Sequence, residues 1–417
     1  MYQAKILIIT NLFSPDRGGG AAIISDMCYE LKKRGFKVTV RTTYPYYPEW
    51  FDKSGFNGWR VRCKNIDGIR VERYGIFIPR KPDLLIHRIL HEASFFLSLM
   101  RSIIFRNDIF DVIVVYSPLV STVGYAAILK VINRTPVFLN IQDLSAEAAI
   151  VSGISKSKLV NNVLRSVQKF LFNIADLWST ISPTMIERLE RIRQRSQPLF
   201  YLPNWTNKSL SEYIKKLPDK KGRTAGTPVK LLYAGTVGKK QGLLRLCKSL
   251  GQSRSKFVFK INCNGTGVDK IRVWINQVQD KRFVFGPFLE EKDFAQALHD
   301  ADFYVITEKS GNYGTFLPSK LIPGIASGTP ILAVSDSASP IGREVIENRI
   351  GAWFSWNNLY SIRKMVNSIP LETSTFLSWQ KNAIRRSEFY DRDTIMTTFE
   401  NALYKLIEKN HGIKKKE

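Results

Sequence analysis

The chain has 417 residues, of which 44% are hydrophobic and 24% are charged, a balance that excludes a disordered protein and a multi-span membrane protein. Its 62 Lys and Arg residues outweigh 36 Asp and Glu residues, so the formal net charge is +26. Such an excess attracts nucleic acid, anionic lipid or phosphorylated substrates without selecting among them. The four cysteines form no CxxC pair and have no histidine nearby, so we expect neither a zinc site nor a disulfide framework.

Short β-branched runs alternate with helical patterns in the first half of the chain. KILIIT, KVTVRT, DVIVVYS and PVFLNIQ are predicted strands, and AAIISDMCYELKKRG is a predicted helix. This alternation is typical of parallel strands joined by crossover helices. No apolar run approaches the roughly 18 residues of a membrane span, and the N-terminal apolar run is too short for a signal peptide. We therefore expect a cytoplasmic protein whose first Rossmann-like domain covers residues 1–205.

A second series of strands and helices follows a polar segment rich in Gly, Pro and Lys, which predicts a linker over residues 206–228. VKLLYAG, KFVFKIN, FVFGP, ADFYVIT and TPILAVS then predict a second Rossmann-like domain over residues 229–387. A final helix at about residues 388–410 is expected to close back on the first domain. Doubly wound sheets bind ligands at the carboxyl ends of their strands, so we expect the site in a cleft between the domains.

Two loops of the first domain carry candidate functional residues. In NLFSPDRGGG, Gly18, Gly19 and Gly20 lie between a predicted strand and a predicted helix, where backbone N–H groups can donate hydrogen bonds to an anion. An ordinary loop is the alternative. In LNIQDLSAEAA, Asp143 and Glu147 have helical spacing after a strand, so their carboxylates share one face and suit a substrate hydroxyl. A capping Asp143 and a solvated Glu147 would explain the same pattern.

In the second domain, YAGTVGKKQGL also lies between a strand and a helix. Gly235, Gly238 and Gly242 permit a tight turn, and Lys239 and Lys240 supply charge for a diphosphate. Solvated lysines are the alternative, and the spacing is not that of an ATP-binding P-loop.

The segment GTFLPSKLIPGIASGTPILAV predicts a helix start at Pro318, with Ser319 as the cap and Lys320 in the first turn. A lysine there opposes the helix dipole unless an anion binds, although a solvated lysine on an ordinary helix would look the same. Glu308 lies shortly before this segment.

The segment LLIHRILHEASFFLSLMRSIIFR places His87 and His91 one helical turn apart, but no third ligand accompanies them, so no metal site is expected. Bulky apolar residues mixed with Arg88, Arg101 and Arg106 suit a helix lying on an anionic membrane surface. A core helix with charged ends remains the alternative.

A series of segments spans nearly the whole chain in the order found in family 4 glycosyltransferases, and the chain resembles that family, especially its colanic-acid and O-antigen type. The matching segments are NLFSPDRGGG, PYYPEW (Pro45 to Trp50), NIQD, STIS, PNW (Pro203 to Trp205), the GTVGKKQGL loop and LPSKL. The resemblance implies the α/β GT-B fold, in which two Rossmann-like domains face a cleft. It further implies a retaining transferase that uses a nucleotide-diphosphate sugar and needs neither a metal ion nor another cofactor.

The same resemblance assigns the candidate residues to roles. The donor-binding set is Asn204, Gly235, Thr236, Lys239, Lys240, Gln241, Gly242, Gly265, Gly267, Ser319 and Lys320, with the nucleotide along the last two glycines. Gly18, Gly19, Gly20 and Glu147 belong to the side of the acceptor or transferred sugar. Asp143 and Glu308 are the candidate catalytic residues. Thr315 and Pro323 stand where many members carry two glutamates, and Gln142 replaces a basic residue before Asp143.

The leading hypothesis is a hexosyl- or deoxyhexosyltransferase that extends a lipid-linked oligosaccharide at the inner face of the plasma membrane. Its product would be a surface polysaccharide such as capsule, exopolysaccharide or O-antigen. A soluble transferase for a small-molecule acceptor and a catalytically degenerate scaffold are the alternatives. A nucleic-acid partner is not expected, because the basic residues are spread along the chain without a recognised motif.

Overall fold

The structure is a computed structural model that forms two compact units. It describes residues 3–16, 20–82, 84–105, 108–117, 119–144, 146–147, 157–194, 196–218, 220, 227–238, 240–311, 319–368 and 374–414. Unit 1 comprises Met1–Pro203 and Asp393–Glu417, and unit 2 comprises Asn204–Arg392.

Unit 1 contains one sheet with the strand order β3-β4-β2-β1-β5-β6-β7-β8. Among the described strands of this sheet, only the β3–β4 pairing is antiparallel. The apolar runs predicted as strands lie inside the sheet, and β5 is buried at every position. Its elements are β1 (Lys5–Ile9), α1 (Ala21–Lys33), β2 (Lys37–Thr43), β3 (Arg62–Ile66), β4 (Ile69–Tyr74), α2 (Leu85–Phe105), β5 (Val112–Ser117), α3 (Val120–Asn133), β6 (Val137–Ile141), α4 (Lys158–Phe172), β7 (Leu177–Thr180), α5 (Pro183–Leu189) and β8 (Leu199–Tyr201).

Unit 2 contains a fully parallel sheet with the order β11-β10-β9-β12-β13-β14. This is the 3-2-1-4-5-6 order of a Rossmann fold, so the predicted α/β class with two doubly wound sheets is confirmed. Its elements are α6 (Lys208–Lys216), β9 (Val229–Thr236), α7 (Leu243–Gly251), β10 (Phe257–Asn264), α8 (Val268–Val278), β11 (Phe283–Gly286), α9 (Glu291–Asp300), β12 (Phe303–Thr307), α10 (Leu321–Ala326), β13 (Ile331–Val334), α11 (Pro340–Asn348), β14 (Gly351–Phe354), α12 (Leu359–Ser368), α13 (Ser374–Ser387) and a 3-10 turn (Glu388–Tyr390).

The last helix, α14 (Arg392–Lys414), packs on unit 1. Glu400 accepts a hydrogen bond from Arg34 at 2.7 Å. The rings of Phe399 and Phe138 stand 5.0 Å apart, and those of Tyr404 and Phe36 stand 5.1 Å apart. These aromatic contacts hold the C-terminal helix against the first sheet.

The region expected as a linker contains regular structure. Its helix α6 packs against α9 and α10 of unit 2 and buries Leu210. The capping residue Asn207 donates a hydrogen bond to Glu291 at 2.8 Å. Farther along, the Lys220 ammonium donates to the Ala301 carbonyl oxygen at 2.7 Å, which ties this residue to the same unit.

A buried ion pair links β2 and β4 in unit 1. The Arg41 guanidinium lies 3.1 Å from the Glu72 carboxylate, and both side chains are almost fully buried. Tyr74 donates a further hydrogen bond to Glu72 at 2.9 Å. A charge removed from such a pair leaves its partner desolvated and uncompensated.

We predict that Glu72→Gln lowers the free energy of unfolding of unit 1 by about 3 kcal/mol, because the Arg41 charge stays buried. The control is Glu190→Gln, which breaks a half-exposed 2.7 Å pair with Arg193 in the same unit and is expected to cost less than about 1 kcal/mol. Urea unfolding followed by circular dichroism measures both. Equal losses in the two variants would contradict the prediction.

Candidate functional site

The carboxyl ends of the strands in unit 2 bring the predicted donor loops together. Strand order reverses between β9 and β12, so the crossovers on either side leave a crevice at this point. After β9, the Val237 amide donates to the Asn264 carbonyl at 2.8 Å. The Lys309 amide, which follows β12, donates to the Lys240 carbonyl at 2.8 Å. The loop after β9 is therefore hydrogen-bonded to the loops on both sides of the crevice.

Gly265 and Gly267 allow the β9 and β10 loops to touch. A β-carbon on Gly265 would lie 2.6 Å from the Val237 carbonyl oxygen, and its φ of +101° disfavours other residues. A β-carbon on Gly267 would lie 2.7 Å from Val237 Cγ1. The packing of the protein alone thus requires glycine at both positions.

Lys320 lies over the end of β9. Its ammonium donates to the Tyr233 hydroxyl at 2.8 Å and stands 4.5 Å from the centre of that ring. The Thr236 carbonyl oxygen is 3.5 Å from the same ammonium, and Gly235 adjoins the lysine stem. Burial lowers the pKa of Lys320 to about 8, and the nearby Cys263 opposes this shift. Lys320 therefore lies beside Gly235 and Thr236, two other residues that were predicted to bind the sugar donor.

The predicted helix cap at Ser319 is wrong. The helix α10 begins at Leu321, and Lys320 occupies the N-cap position without a capping hydrogen bond from its side chain. The Lys320 side chain extends toward β9, where its ammonium contacts Tyr233 and Thr236. The expected unfavourable interaction of its charge with the helix dipole therefore does not describe the contacts that it makes. Ser319 is partly buried beside it.

The other residues predicted to bind the sugar donor have different positions: Gln241 and Gly242 lie in the loop after β9, and Asn204 lies outside it. Gln241 accepts a hydrogen bond from the Gly238 amide at 2.7 Å, which closes the turn. Gly242 has a φ of +69° and begins α7. Asn204 is buried at the start of unit 2, and Lys239 lies outside the described residues.

Glu308 follows β12 and is buried. Its amide donates to the Val334 carbonyl at 2.9 Å, and its carbonyl accepts the indole N–H of Trp356 at 2.6 Å. Thr315 lies outside the described residues, whereas Pro323 is buried within α10. The structure thus gives Glu308 a fixed backbone position beside Lys309 at the crevice.

The described contacts of Asp143 and Glu147 in unit 1 involve different partners. Asp143 accepts a hydrogen bond from the Leu144 amide at 2.8 Å. Glu147 instead contacts α4, through Gln168 at 3.4 Å and Arg165 at 3.7 Å. Gly20 is the N-cap of α1, and Gly18 and Gly19 lie outside the described residues.

A polar chain that the sequence did not reveal lies beneath the carboxyl end of β1. The Asn11 amide donates to the Tyr46 hydroxyl at 2.9 Å, and this hydroxyl is 3.2 Å from Nε2 of His91. Nδ1 of His91 lies 2.7 Å from the Phe77 carbonyl, so it carries the proton and Nε2 accepts from Tyr46. Burial lowers the pKa of His91 to about 4, which keeps the ring neutral.

Asp16, in the same loop as the predicted glycines, is a second residue that the sequence did not single out. One carboxylate oxygen accepts from the amides of Tyr46 and Tyr47, both at 2.9 Å. Burial raises the pKa of Asp16 to about 6, although the Tyr47 amide and Lys53 act in the opposite direction. Its place in NLFSPDRGGG and the PYYPEW motif beside it were the available signals.

Comparisons with known proteins agree with this geometry. The model of the family described as "Glycosyl transferase 4-like domain" matches residues 18–205. A protein named as a colanic acid biosynthesis glycosyl transferase, WcaI of Escherichia coli K12, is 25% identical over 81% of this chain and 85% of its own length. The chain is a glycosyltransferase. The family resemblance predicted from the sequence motifs is confirmed.

Solved structures show the fold of this glycosyltransferase. Sucrose-phosphate synthase from Thermosynechococcus elongatus has a TM-score of 0.73 at 16% identity. The match covers 98% of this chain and 100% of the synthase chain. HepE of Anabaena, solved in complex with UDP and glucose, has a TM-score of 0.68 at 15% identity, with 97% and 100% coverage. The predicted GT-B fold is confirmed.

The described part of the glycosyltransferase contains neither a membrane-spanning helix nor a cluster of metal-binding side chains. None of its helices combines the length and apolar character needed to cross a membrane. Within the same residues, no group of three or more His, Cys, Asp and Glu side chains is placed to hold a metal ion.

We predict that Gly267→Ala lowers the free energy of unfolding of unit 2 by about 1–3 kcal/mol, because the added methyl overlaps Val237. The control is Gly238→Ala in the adjoining loop, where the nearest atom would be 3.5 Å away, an ordinary contact. Urea unfolding checks both variants. If Gly267→Ala unfolds at the same concentration as Gly238→Ala, the close approach of the loops is wrong.

Proposed function

We propose that this glycosyltransferase moves a hexosyl or deoxyhexosyl group from a nucleotide-diphosphate sugar to a lipid-linked oligosaccharide. The reaction retains the anomeric configuration, needs no metal ion or other cofactor, and contributes to a surface polysaccharide such as capsule, exopolysaccharide or O-antigen. The observation that carries the donor half is the partly buried Lys320 cation at the point where the unit 2 sheet reverses its strand order.

Lys320 suits the charge that develops as the sugar leaves. Cleavage of the bond between sugar and phosphate leaves a nucleoside diphosphate with additional negative charge, which a fixed cation stabilises. Lys240 lies in the hydrogen-bonded β9 loop and adds positive charge on the same side. HepE, which shares the fold, was solved with UDP and glucose. These observations support a diphosphate bound by lysine side chains.

The remaining site assignments follow the same proposal. The nucleotide is assigned to Gly265 and Gly267, as the family resemblance implies, and both residues are partly buried directly after β10. Glu308, which follows β12, is the proposed catalytic carboxylate of unit 2, and Asp143, which follows β6, is that of unit 1. WcaI is named for colanic acid biosynthesis, which supports a saccharide acceptor.

We predict that UDP raises the Tm of the wild type and that Lys320→Met abolishes this rise. Because the pKa of Lys320 is about 8, the affinity for UDP should fall about tenfold between about pH 7 and about pH 9 as the ammonium loses its proton. Thermal shift against UDP, GDP, ADP and dTDP measures binding. Lys260→Met, at an exposed position on β10, is the matched control. A folded wild type that responds to none of the four nucleotides would favour the degenerate scaffold.

The acceptor half of the proposal is supported by an apolar surface on unit 1. One face of α2 is in the core, with His91, Phe95 and Leu99 buried, as expected of a core helix. Its exposed face carries Ile86, Ile89, Leu90, Leu97 and Ile104. The helix α4 also exposes an apolar stripe, made of Leu159, Val163, Val167 and Phe170. The helix α3 packs against both of them.

Basic residues accompany these apolar side chains. Arg88 and Arg101 lie on α2, and Lys158, Arg165 and Lys169 lie on α4. Bulky apolar residues with lysine and arginine suit the interface of an anionic leaflet. We place the enzyme at the cytoplasmic side of the plasma membrane, bound peripherally, where a lipid-linked acceptor is available.

We predict that the wild type floats with phosphatidylglycerol-containing vesicles and that Leu90→Asp or Phe170→Asp lowers the bound fraction at least about tenfold, because a buried carboxylate opposes insertion. Val273→Asp is the control, since Val273 is 54% exposed on unit 2 and Leu90 is 46% exposed on unit 1. Flotation of the full chain on sucrose gradients measures binding. A wild type that stays at the bottom of the gradient would favour the transferase with a small-molecule acceptor.

A further inference from the structure

The PYYPEW motif forms an aromatic cluster that neither the donor site nor the lipid surface uses. The ring of Trp50 lies 6.2 Å from that of Tyr47 at an interplanar angle of 73°, and 5.5 Å from that of Tyr46. The Arg88 guanidinium stands 4.8 Å from the centre of the Trp50 ring. Tyr47 and Trp50 are only partly buried, so each ring retains surface that reaches solvent.

The backbone holds Trp50 in an unfavourable conformation. Its φ is +59°, a region that bulky residues rarely adopt, while its amide donates to the Tyr46 carbonyl at 2.8 Å. The surrounding structure therefore fixes the ring at a cost in backbone strain.

Asp16 provides an independent indication of a ligand at the same motif. It is 6% exposed, and one of its carboxylate oxygens is fixed by the amides of Tyr46 and Tyr47. The other oxygen is buried and has no hydrogen-bond partner among the residues that the structure describes. Two cations, Lys53 and Arg73, lie near the carboxylate. Arg73 donates to the Thr43 carbonyl at 2.8 Å and to the Ser14 carbonyl, and Lys53 donates to the Tyr47 carbonyl. A buried carboxylate oxygen without a donor is destabilising until a ligand hydroxyl supplies one.

We propose that Asp16, Tyr47, Trp50 and Arg88 form a subsite for a neutral saccharide ring of the acceptor. A pyranose has an apolar C–H face, which packs on an aromatic ring, and a rim of hydroxyl groups, one of which donates to Asp16. The aromatic rings and the carboxylate oxygen suit the sugar part of the acceptor, which has an apolar C–H face and donating hydroxyl groups. The inference rests on the proposed function, because it assumes that the acceptor is a saccharide.

Saturation-transfer difference NMR of the full chain tests the subsite with the methyl α- and β-pyranosides of glucose, galactose, mannose and N-acetylglucosamine as probes. We expect saturation of at least one glycoside in the wild type and at least a fivefold weaker signal in Trp50→Ala and Asp16→Asn. Trp59→Ala is the matched control, because Trp59 also stacks with an arginine on this unit, Arg101, at 4.3 Å. This control should keep the wild-type signal.

Asp16→Asn also separates a binding role from a structural one. The amide keeps the oxygen that accepts from Tyr46 and Tyr47 and removes a buried charge, so the Tm of this variant should be higher than that of the wild type at about pH 7.5. A higher Tm with a lost glycoside signal supports the subsite. A wild type without any signal, or variants that keep it, overturns the proposal. UDP binding, measured on the same samples, reports on the proposed donor function independently of either result.

Discussion

The parallel pairing of β9 with β10 on one side and β12 on the other is the constraint on which the proposed donor site depends. Because the strand order reverses at β9, the loops that follow these three strands meet at one edge of the sheet. Their amides then bond across the gap, from Val237 to Asn264 and from Lys309 to Lys240. Unit 1 repeats the arrangement at β1, which pairs with β2 and β5, and the Asn11 and Asp16 side chains follow that strand.

Packing explains some candidate residues without reference to a ligand. Gly265 and Gly267 are needed because the neighbouring loop comes within van der Waals contact of their Cα atoms. The Lys320 ammonium is different, since packing alone would be better satisfied by an apolar side chain that loses no hydration. Its lowered pKa measures that unfavourable burial. A cation kept in place at this energetic disadvantage is what an anion-binding site requires.

Local patterns in the sequence were sufficient for the sheets, because runs such as VIVVYS are buried on both faces and appear as continuous apolar segments. They also placed the β9 loop between a strand and a helix, whereas Lys320 lies at the N-cap of α10 and not in its first turn. Such patterns do not report contacts between distant segments, such as those of Glu147 with Arg165 and Gln168 on α4. The Asp16 cluster joins residues near positions 16, 47, 50 and 88. The hydrophobic periodicity of one segment cannot predict which side chains become buried in a cluster that several distant segments form together.

Asp16 differs from the buried Arg41 and Glu72 pair, because one of its carboxylate oxygens has no partner among the described residues. Raising the pKa of a carboxyl from 3.8 to about 6 means that the ionised form destabilises the fold by about 3 kcal/mol near neutral pH. A domain of this size has a net stability of roughly 5–15 kcal/mol, so that loss is substantial. An asparagine would keep the hydrogen bonds to Tyr46 and Tyr47 without it. The carboxylate is therefore explained by an interaction outside the folded chain, and a hydroxyl group donated by a bound acceptor is the interaction that its buried oxygen lacks.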